Sequence, residues 1–136
     1  SVELSRNEVS DLAARFPSRT EVMAFGRTEL MYTRDPGLGK GSLIDEKEAS
    51  FPVYTDGRGF GRLLNSVDLF LLDSIDELGR SGVASIGIDV RKRPPALAAA
   101  VGRYSRRTDP ALREKIAAMC GGELTQGLYK RGLRKE

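Results

Sequence analysis

Histidine and tryptophan are absent from this chain of 136 residues, and cysteine occurs once, at Cys120. Without histidine, the chain by itself cannot form a Ser-His-Asp triad, a Cys-His pair or a zinc site with imidazole ligands. A single cysteine excludes an internal disulfide and favours a reducing compartment. Acid–base chemistry would therefore depend on Asp, Glu, Lys, Tyr or Cys120, or on another chain.

Long apolar runs are also lacking. No stretch approaches the roughly 20 residues that a membrane span needs. The first residues, SVELSRNEVSD, are polar and do not resemble the apolar core of a signal peptide. We therefore expect a cytoplasmic protein with no membrane partner. The sequence begins with Ser1 and not with an initiator Met, so we expect a trimmed or excised piece.

Positive charge is in slight excess, with 22 Lys and Arg against 19 Asp and Glu. The basic residues gather late in the chain, in RKR at 91–93, GRYSRR at 102–107 and YKRGLRKE at 129–136. An ordinary solvated surface is the simpler interpretation. Contact with RNA phosphates is the alternative, and it predicts binding that weakens steeply with salt.

Helix and strand signals alternate along the chain. Ser5 and Glu8 have the spacing of a capping box, which predicts a helix that ends at Pro17, with Val9, Leu12, Ala13 and Phe16 as its apolar stripe. Further helices are predicted over 66–82, with Asp68 as a cap partner, after the RKRPP segment, and over 109–121, with Asp109 as N-cap. Strands are predicted over 2–4, 20–33 and 83–91, and a hairpin over 43–54.

Alternating strands and helices indicate the α/β class. We expect parallel strands with flanking helices, forming a portion of a (β/α) TIM-like barrel with a β-hairpin insertion at about 41–56 and a basic C-terminal tail at about 123–136. Because so few strands cannot close a barrel of eight, the sheet edges would need a second copy of the chain or the remaining part of a larger chain.

The segment GRGFGR, residues 57–62, carries three glycines and two arginines. Its spacing matches neither the G-x-G-x-x-G dinucleotide fingerprint nor a P-loop. A flexible turn between the hairpin and the next helix is therefore the simplest interpretation. Arg58 and Arg62 remain candidates for holding a carboxylate or a phosphate.

Three stretches together resemble the U32 family of collagenase-like peptidases. They are ELSRNEVSDLAARFPSRTEVMAFGRTELM, LIDEKEASFPVYTD and NSVDLFLLDSIDELGRSGVASIGIDVR, and LTQGLYKRG near the end extends the likeness over nearly the whole chain. The elements that carry it most are Glu21 with Gly26, Asp45 with Phe51-Pro52, Asn65-Ser66, and Asp89 with Arg91. The resemblance implies a (β/α) barrel, and it implies hydroxylation of RNA bases or of a quinone precursor at least as much as peptide cleavage.

Members of this family are also expected to hold an iron–sulfur cluster on cysteines near TRDPG and after FPVYTD. Here those places read Asp35-Pro36-Gly37 and GRGFGR. A [4Fe–4S] cluster needs about four thiolates, so we expect no cofactor and no metal on this chain's own residues.

Three functional hypotheses follow. In an enzyme, one of the carboxylates of Glu21, Asp45, Asp56 and Asp89 would act as acid or base in one pocket, and the side chains that would bind an anionic substrate are Arg27, Arg58, Arg62, Asn65, Ser66 and Arg91. A binding module would hold RNA through its basic clusters. A catalytically degenerate subunit would serve as scaffold or partner.

Overall fold

The structure is a computed structural model that describes residues 4–131, apart from the side chain of Pro36. Its helices are α1 Arg6–Arg15, α2 Ile75–Arg80, α3 Pro95–Arg106 and α4 Pro110–Met119. Its strands are β1 Glu21–Gly26, β2 Glu29–Thr33, β3 Gly41–Ile44, β4 Ser50–Thr55, β5 Gly61–Leu64, β6 Asp68–Phe70, β7 Ser85–Ile88 and β8 Leu124–Thr125. The strand expected at 2–4 falls largely outside the described residues, as do positions 132–136 of the basic tail.

Two compact units divide the chain. One unit runs up to Gly26 and resumes at Leu69, and the other is Arg27–Asp68. The predicted hairpin is present as β3 and β4, but it belongs to this larger inserted unit rather than standing alone at 41–56. We call them the outer-chain unit and the inserted unit.

The sheet of the outer-chain unit is mixed. Its strand order is β7-β1-β6-β8; β1 pairs with β7 in parallel and with β6 in antiparallel orientation. The α/β class is therefore confirmed, and the strands predicted over 20–33 and 83–91 do pair in parallel through β1 and β7. The expectation of a sheet with parallel strands only was wrong, because β6 pairs with β1 in antiparallel orientation. The described residues form no closed barrel.

The helix predicted over 66–82 was wrong in its first half. Residues 68–70 form strand β6, a 3₁₀ turn follows at Leu72–Ser74, and only Ile75–Arg80 is α-helical. Every residue from Asp68 to Leu72 is buried. A short run buried on all sides carries no periodicity that separates strand from helix, so pairing of Phe70 with Phe25 decided the outcome.

The local capping signals predicted the starts of α1 and α4 correctly. Ser5 and Glu8 form the predicted capping box, in which the Ser5 amide donates to Glu8 Oε2 over 2.8 Å. Glu8 accepts hydrogen bonds from the Ser5 side chain and from the Ser5 amide, and these bonds, the side-chain one first, lower the pKa of Glu8. Asp109 caps α4 with Pro110 at its first position. The apolar stripe of α1 was only half right, because Leu12 and Phe16 are 38% and 49% exposed.

The core of the outer-chain unit lies between its sheet and helices α3 and α4. Phe25, Phe70, Leu97, Val101 and Ile116 are all at most 1% exposed. The Phe25 and Phe70 rings meet edge to face with centroids 6.3 Å apart, an arrangement favoured by the ring quadrupoles. This packing fixes the end of β6 against the helices, which positions the polar groups described below.

The inserted unit is an antiparallel sheet of order β2-β5-β4-β3. The single strand predicted over 20–33 is in fact β1 and β2, which belong to different sheets. The glycine-rich segment is the turn that joins β4 to β5, not a link to a helix. Asp56 Oδ1 accepts hydrogen bonds from the amides of Arg58 (2.8 Å) and Phe60 (3.1 Å), and Gly59 supplies a positive φ of 81°.

Candidate functional site

The two candidate carboxylates of the outer-chain unit lie at opposite ends of the β1–β7 pair. Glu21 starts β1 opposite Ser85, whose hydroxyl donates to Glu21 Oε2 over 2.9 Å. Asp89 follows the other end of β7. Four residues of strand separate the two positions, about 13 Å. The geometry therefore does not bring Glu21 and Asp89 into one catalytic pair.

Asp89 is held by Arg91. The guanidinium donates from Nε and Nη2 to the two carboxylate oxygens over 3.0 and 2.7 Å, and the Arg91 amide adds a third bond of 3.1 Å. The side-chain hydrogen bonds from Arg91 lower the pKa of Asp89, so the carboxyl is ionised at neutral pH. An ionised carboxylate occupied by a fork of donors is suited to a structural role rather than to proton transfer.

Gly26 and Asp89 are brought together by the parallel pairing of β1 with β7. A Cβ at Gly26 would stand 2.6 Å from the carbonyl oxygen of Asp89, and Gly26 has a φ of +128°. The Asp89 amide donates to the carbonyl of Phe25 over 2.9 Å. Only glycine fits this approach of the two backbones.

The two candidate carboxylates of the inserted unit also lie apart. Asp45 is in the turn before β4 and accepts bonds of 2.9 Å from the amides of Lys47 and Ala49. Asp56 is in the turn after β4, so the six-residue strand, roughly 20 Å long, separates them. Desolvation would raise the pKa of Asp56, but its two amide hydrogen bonds and the nearby Arg62 and Arg58 charges outweigh it, and the pKa is lowered.

Arg62 has partners on three sides. Its guanidinium lies 2.7 Å from Glu29 and 3.6 Å from Asp56, and its Cζ lies 4.9 Å from the centre of the Tyr32 ring. These contacts make Arg62 a cross-strand clamp of the inserted sheet. Arg58 is exposed in the turn. The backbone N–H of Asn65 donates to the carbonyl of Thr28, and the neighbouring Ser66 is half-buried.

Arg27 faces a carboxylate that the sequence did not single out for a site. Asp68 is fully buried, and Arg27 Nε lies 3.9 Å from its Oδ2. In the described part of the chain, Arg27 Nε is a buried nitrogen without a hydrogen-bond partner. Asp68, predicted as a helix cap, is instead the counter-charge of Arg27 inside the inserted unit.

The clearest concentration of unpaired charge is on α3 and α4. Arg103, Arg107 and Lys115 line an open groove of about 750 Å³, and within residues 4–131 no carboxylate lies within ion-pairing distance of these three side chains. Asp109 also lines the groove, but its Oδ1 is tied to the amides of Ala111 (3.0 Å) and Leu112 (3.5 Å). The sequence segment GRYSRR was the signal for this groove; the contribution of Lys115 appears only in the fold.

The residues of this chain do not fit the cluster that the resemblance implies. Cys120 is buried at the C-terminal end of α4 and is the single thiol available. Among the described residues, no three His, Cys, Asp or Glu side chains are grouped as metal ligands would be. Across the same part of the chain, no helix has both the length and the apolar character for a bilayer crossing.

Comparison with known proteins found no relative that could indicate a function. No protein-family model, no curated protein and no solved structure matches the chain.

Proposed function

We propose that this chain is a U32-like segment that binds an RNA substrate for a larger chain or assembly, without itself supplying the catalytic carboxylate. The observation that carries the proposal is the groove lined by Arg103, Arg107 and Lys115, three cations without a described counter-charge. Clustered cations with no internal partner can neutralise the phosphates of an RNA backbone, and the RNA then releases its bound counterions.

The portion of a (β/α) barrel belongs to the same proposal. Two features support it: β1 and β7 are parallel neighbours, and α3 follows β7 in the chain. β7 is also an edge strand in the described sheet. An open edge is where further strands of a longer protein would pair.

The proposal is tested by titrating a fluorescently labelled single-stranded RNA at several salt concentrations. The variant carries Arg103→Gln, Arg107→Gln and Lys115→Gln. Each phosphate contact on a single strand contributes about 0.7 to the magnitude of the slope of log K against log salt. If all three side chains contact phosphates, this magnitude should therefore fall by about 2. An unchanged slope and affinity would remove the groove from RNA binding.

A matched control keeps the net charge of the variant but moves the substitutions. Arg15→Gln, Arg19→Gln and Arg80→Gln remove three exposed arginines of the same unit for which the described residues offer no ion pair. The control is expected to bind within twofold of the wild type. If it loses as much affinity as the groove variant, the binding reflects net charge and not a site.

A catalytically degenerate partner subunit is the second candidate. It is favoured because Glu21, Asp45, Asp56 and Asp89 all accept hydrogen bonds from neighbouring groups. It predicts a stable oligomer or complex that turns over neither peptides, RNA nor small acids. Sedimentation of the purified chain, together with activity assays on peptides, RNA and small acids, tests it, and a monomer with turnover would reject it.

A further inference from the structure

A second and smaller cavity lies where β6 meets α4 and the C-terminal segment of the outer-chain unit. Its volume is about 270 Å³, and the side chains that line it include Phe70, Arg113, Thr125, Gln126, Lys130 and Arg131. None of these residues belongs to the groove of Arg103, Arg107 and Lys115. The volume is slightly below the range of about 300–1,000 Å³ typical of pockets for drug-sized ligands, so the cavity suits a small molecule or a single ligand group.

Arg113 is fixed in place at this cavity. Its Nε lies 3.3 Å from Asp73 Oδ2, and its Cζ lies 5.0 Å from the centre of the Phe70 ring. Asp73 in turn accepts a hydrogen bond from the hydroxyl of buried Tyr104 through its other oxygen. A guanidinium held on one side by a carboxylate and packed on a ring loses little freedom when it binds a ligand.

The remaining donors of Arg113 are the part that a ligand would use. Only Nε takes part in its described hydrogen bond, which leaves the two terminal nitrogens of the fork without a described partner. Tyr104 reinforces the arrangement. Its burial, followed by its hydrogen bond to Asp73, raises its pKa to about 12, so the phenol remains a donor at neutral pH.

The net positive charge around the cavity favours an anionic ligand. Arg113, Lys130 and Arg131 bring three positive charges, and Asp73 offsets one of them. Neither Lys130 nor Arg131 has an ion pair among residues 4–131. A surplus of two positive charges complements a phosphate monoester, which carries about −1.5 to −2 at neutral pH. An arginine fork is also the geometry that binds phosphate oxygens in pairs.

We propose that this cavity binds the phosphate group of a small phosphate monoester, with Arg113 as the positioned fork and Lys130 and Arg131 as flanking cations. The inference stands apart from the RNA groove, since it uses other side chains and a mononucleotide rather than a strand. Free phosphate and a nucleoside 5′-monophosphate share the recognised chemistry.

Calorimetric titration of the purified chain tests the assignment. The probes are inorganic phosphate, adenosine 5′-monophosphate, adenosine and succinate. Both phosphates are expected to bind, adenosine not at all, and succinate at least fivefold more weakly than phosphate. Equal binding of adenosine and its monophosphate would overturn phosphate recognition, and succinate binding as tightly as phosphate would overturn the preference for phosphate over carboxylate. No binding of either phosphate at millimolar concentration would overturn the proposal altogether.

Variants identify the site. Arg113→Gln is expected to lower monophosphate affinity at least tenfold. Because that change also removes a partner of Asp73, the double variant Lys130→Gln with Arg131→Gln provides a second test at exposed positions; it should lower affinity several-fold without changing the unfolding midpoint. Arg80→Gln, distant in the chain and exposed, should bind like the wild type. Equal affinity in all three would place the bound phosphate elsewhere.

Discussion

Replacing Gly26 by alanine should destabilise the outer-chain unit more than its small size suggests. The added methyl group would lie 2.6 Å from the carbonyl oxygen of Asp89 and 2.9 Å from the Asp89 Cβ. Both neighbours belong to a chain segment held by the hydrogen bond from the Asp89 amide to Phe25. The clash therefore cannot be relieved by rotating a flexible side chain.

Two costs add up at this position. A residue with a side chain held at a φ of +128° carries backbone strain of about 1–3 kcal/mol. Overpacking against a fixed backbone carbonyl costs about 1–3 kcal/mol more. The free energy of unfolding should therefore fall by about 2–6 kcal/mol, a large share of the about 5–15 kcal/mol of an ordinary domain.

Urea unfolding followed by far-ultraviolet circular dichroism measures the effect. With an m-value of about 1.5 kcal/mol per M, the midpoint should fall by about 1–4 M. Hydrogen exchange of the Asp89 amide gives a local measurement, because this amide donates across the close approach. Its protection should fall together with the midpoint.

Gly57→Ala is the matched control. A Cβ at Gly57 would meet nothing within 4 Å, so this variant should stay within about 0.5 kcal/mol of the wild type. If Gly26→Ala also stayed within 1 kcal/mol, with unchanged Asp89 exchange, the close approach of the two backbones would not exist as described.

Two further substitutions test local chemistry at the ends of helices. Ser5→Ala removes half of the capping box with Glu8 and should cost about 1 kcal/mol in urea unfolding at neutral pH; because the pKa of Glu8 is lowered in the fold, the stabilisation should also fade in the wild type as the pH drops below 4.5. A stability difference between the wild type and Ser5→Ala that is equally large at pH 3 and pH 7 would contradict this. Tyr104→Phe removes the hydroxyl that donates to Asp73, and should cost about 1.5–3 kcal/mol at neutral pH. Since the pKa of Tyr104 is raised from 10.0 to about 12, the advantage of the wild type is complete below pH 10 and should shrink as the pH approaches 12; an advantage that grows in this range would refute the assignment.

Much of the local structure could be predicted from the sequence. Ser5 with Glu8, Asp109 with Pro110, and the hairpin around Asp45 all formed as expected. Each of these depends on hydrogen bonds or φ preferences between residues at most a few positions apart. Their outcome is therefore written in the neighbouring letters of the sequence.

The candidate site was predicted less well, because charge alone does not show which partner a side chain will find. Arg62 looked available for a ligand, yet Glu29 holds it from another strand. Arg103 and Arg107 came from a visible cluster, whereas Lys115 joined them only because α3 and α4 pack together.

The sequence by itself determined where the capped helices begin, that no imidazole or disulfide chemistry is open to this chain, and that its basic residues gather late. Tertiary structure decided that residues 68–70 are a strand, that β1 and β2 belong to different sheets, and that Asp73 holds Arg113 from 40 residues away. The physical reason is distance along the chain: a cap is satisfied within one helical turn, whereas a buried strand or an ion pair depends on a partner that only the complete fold brings near.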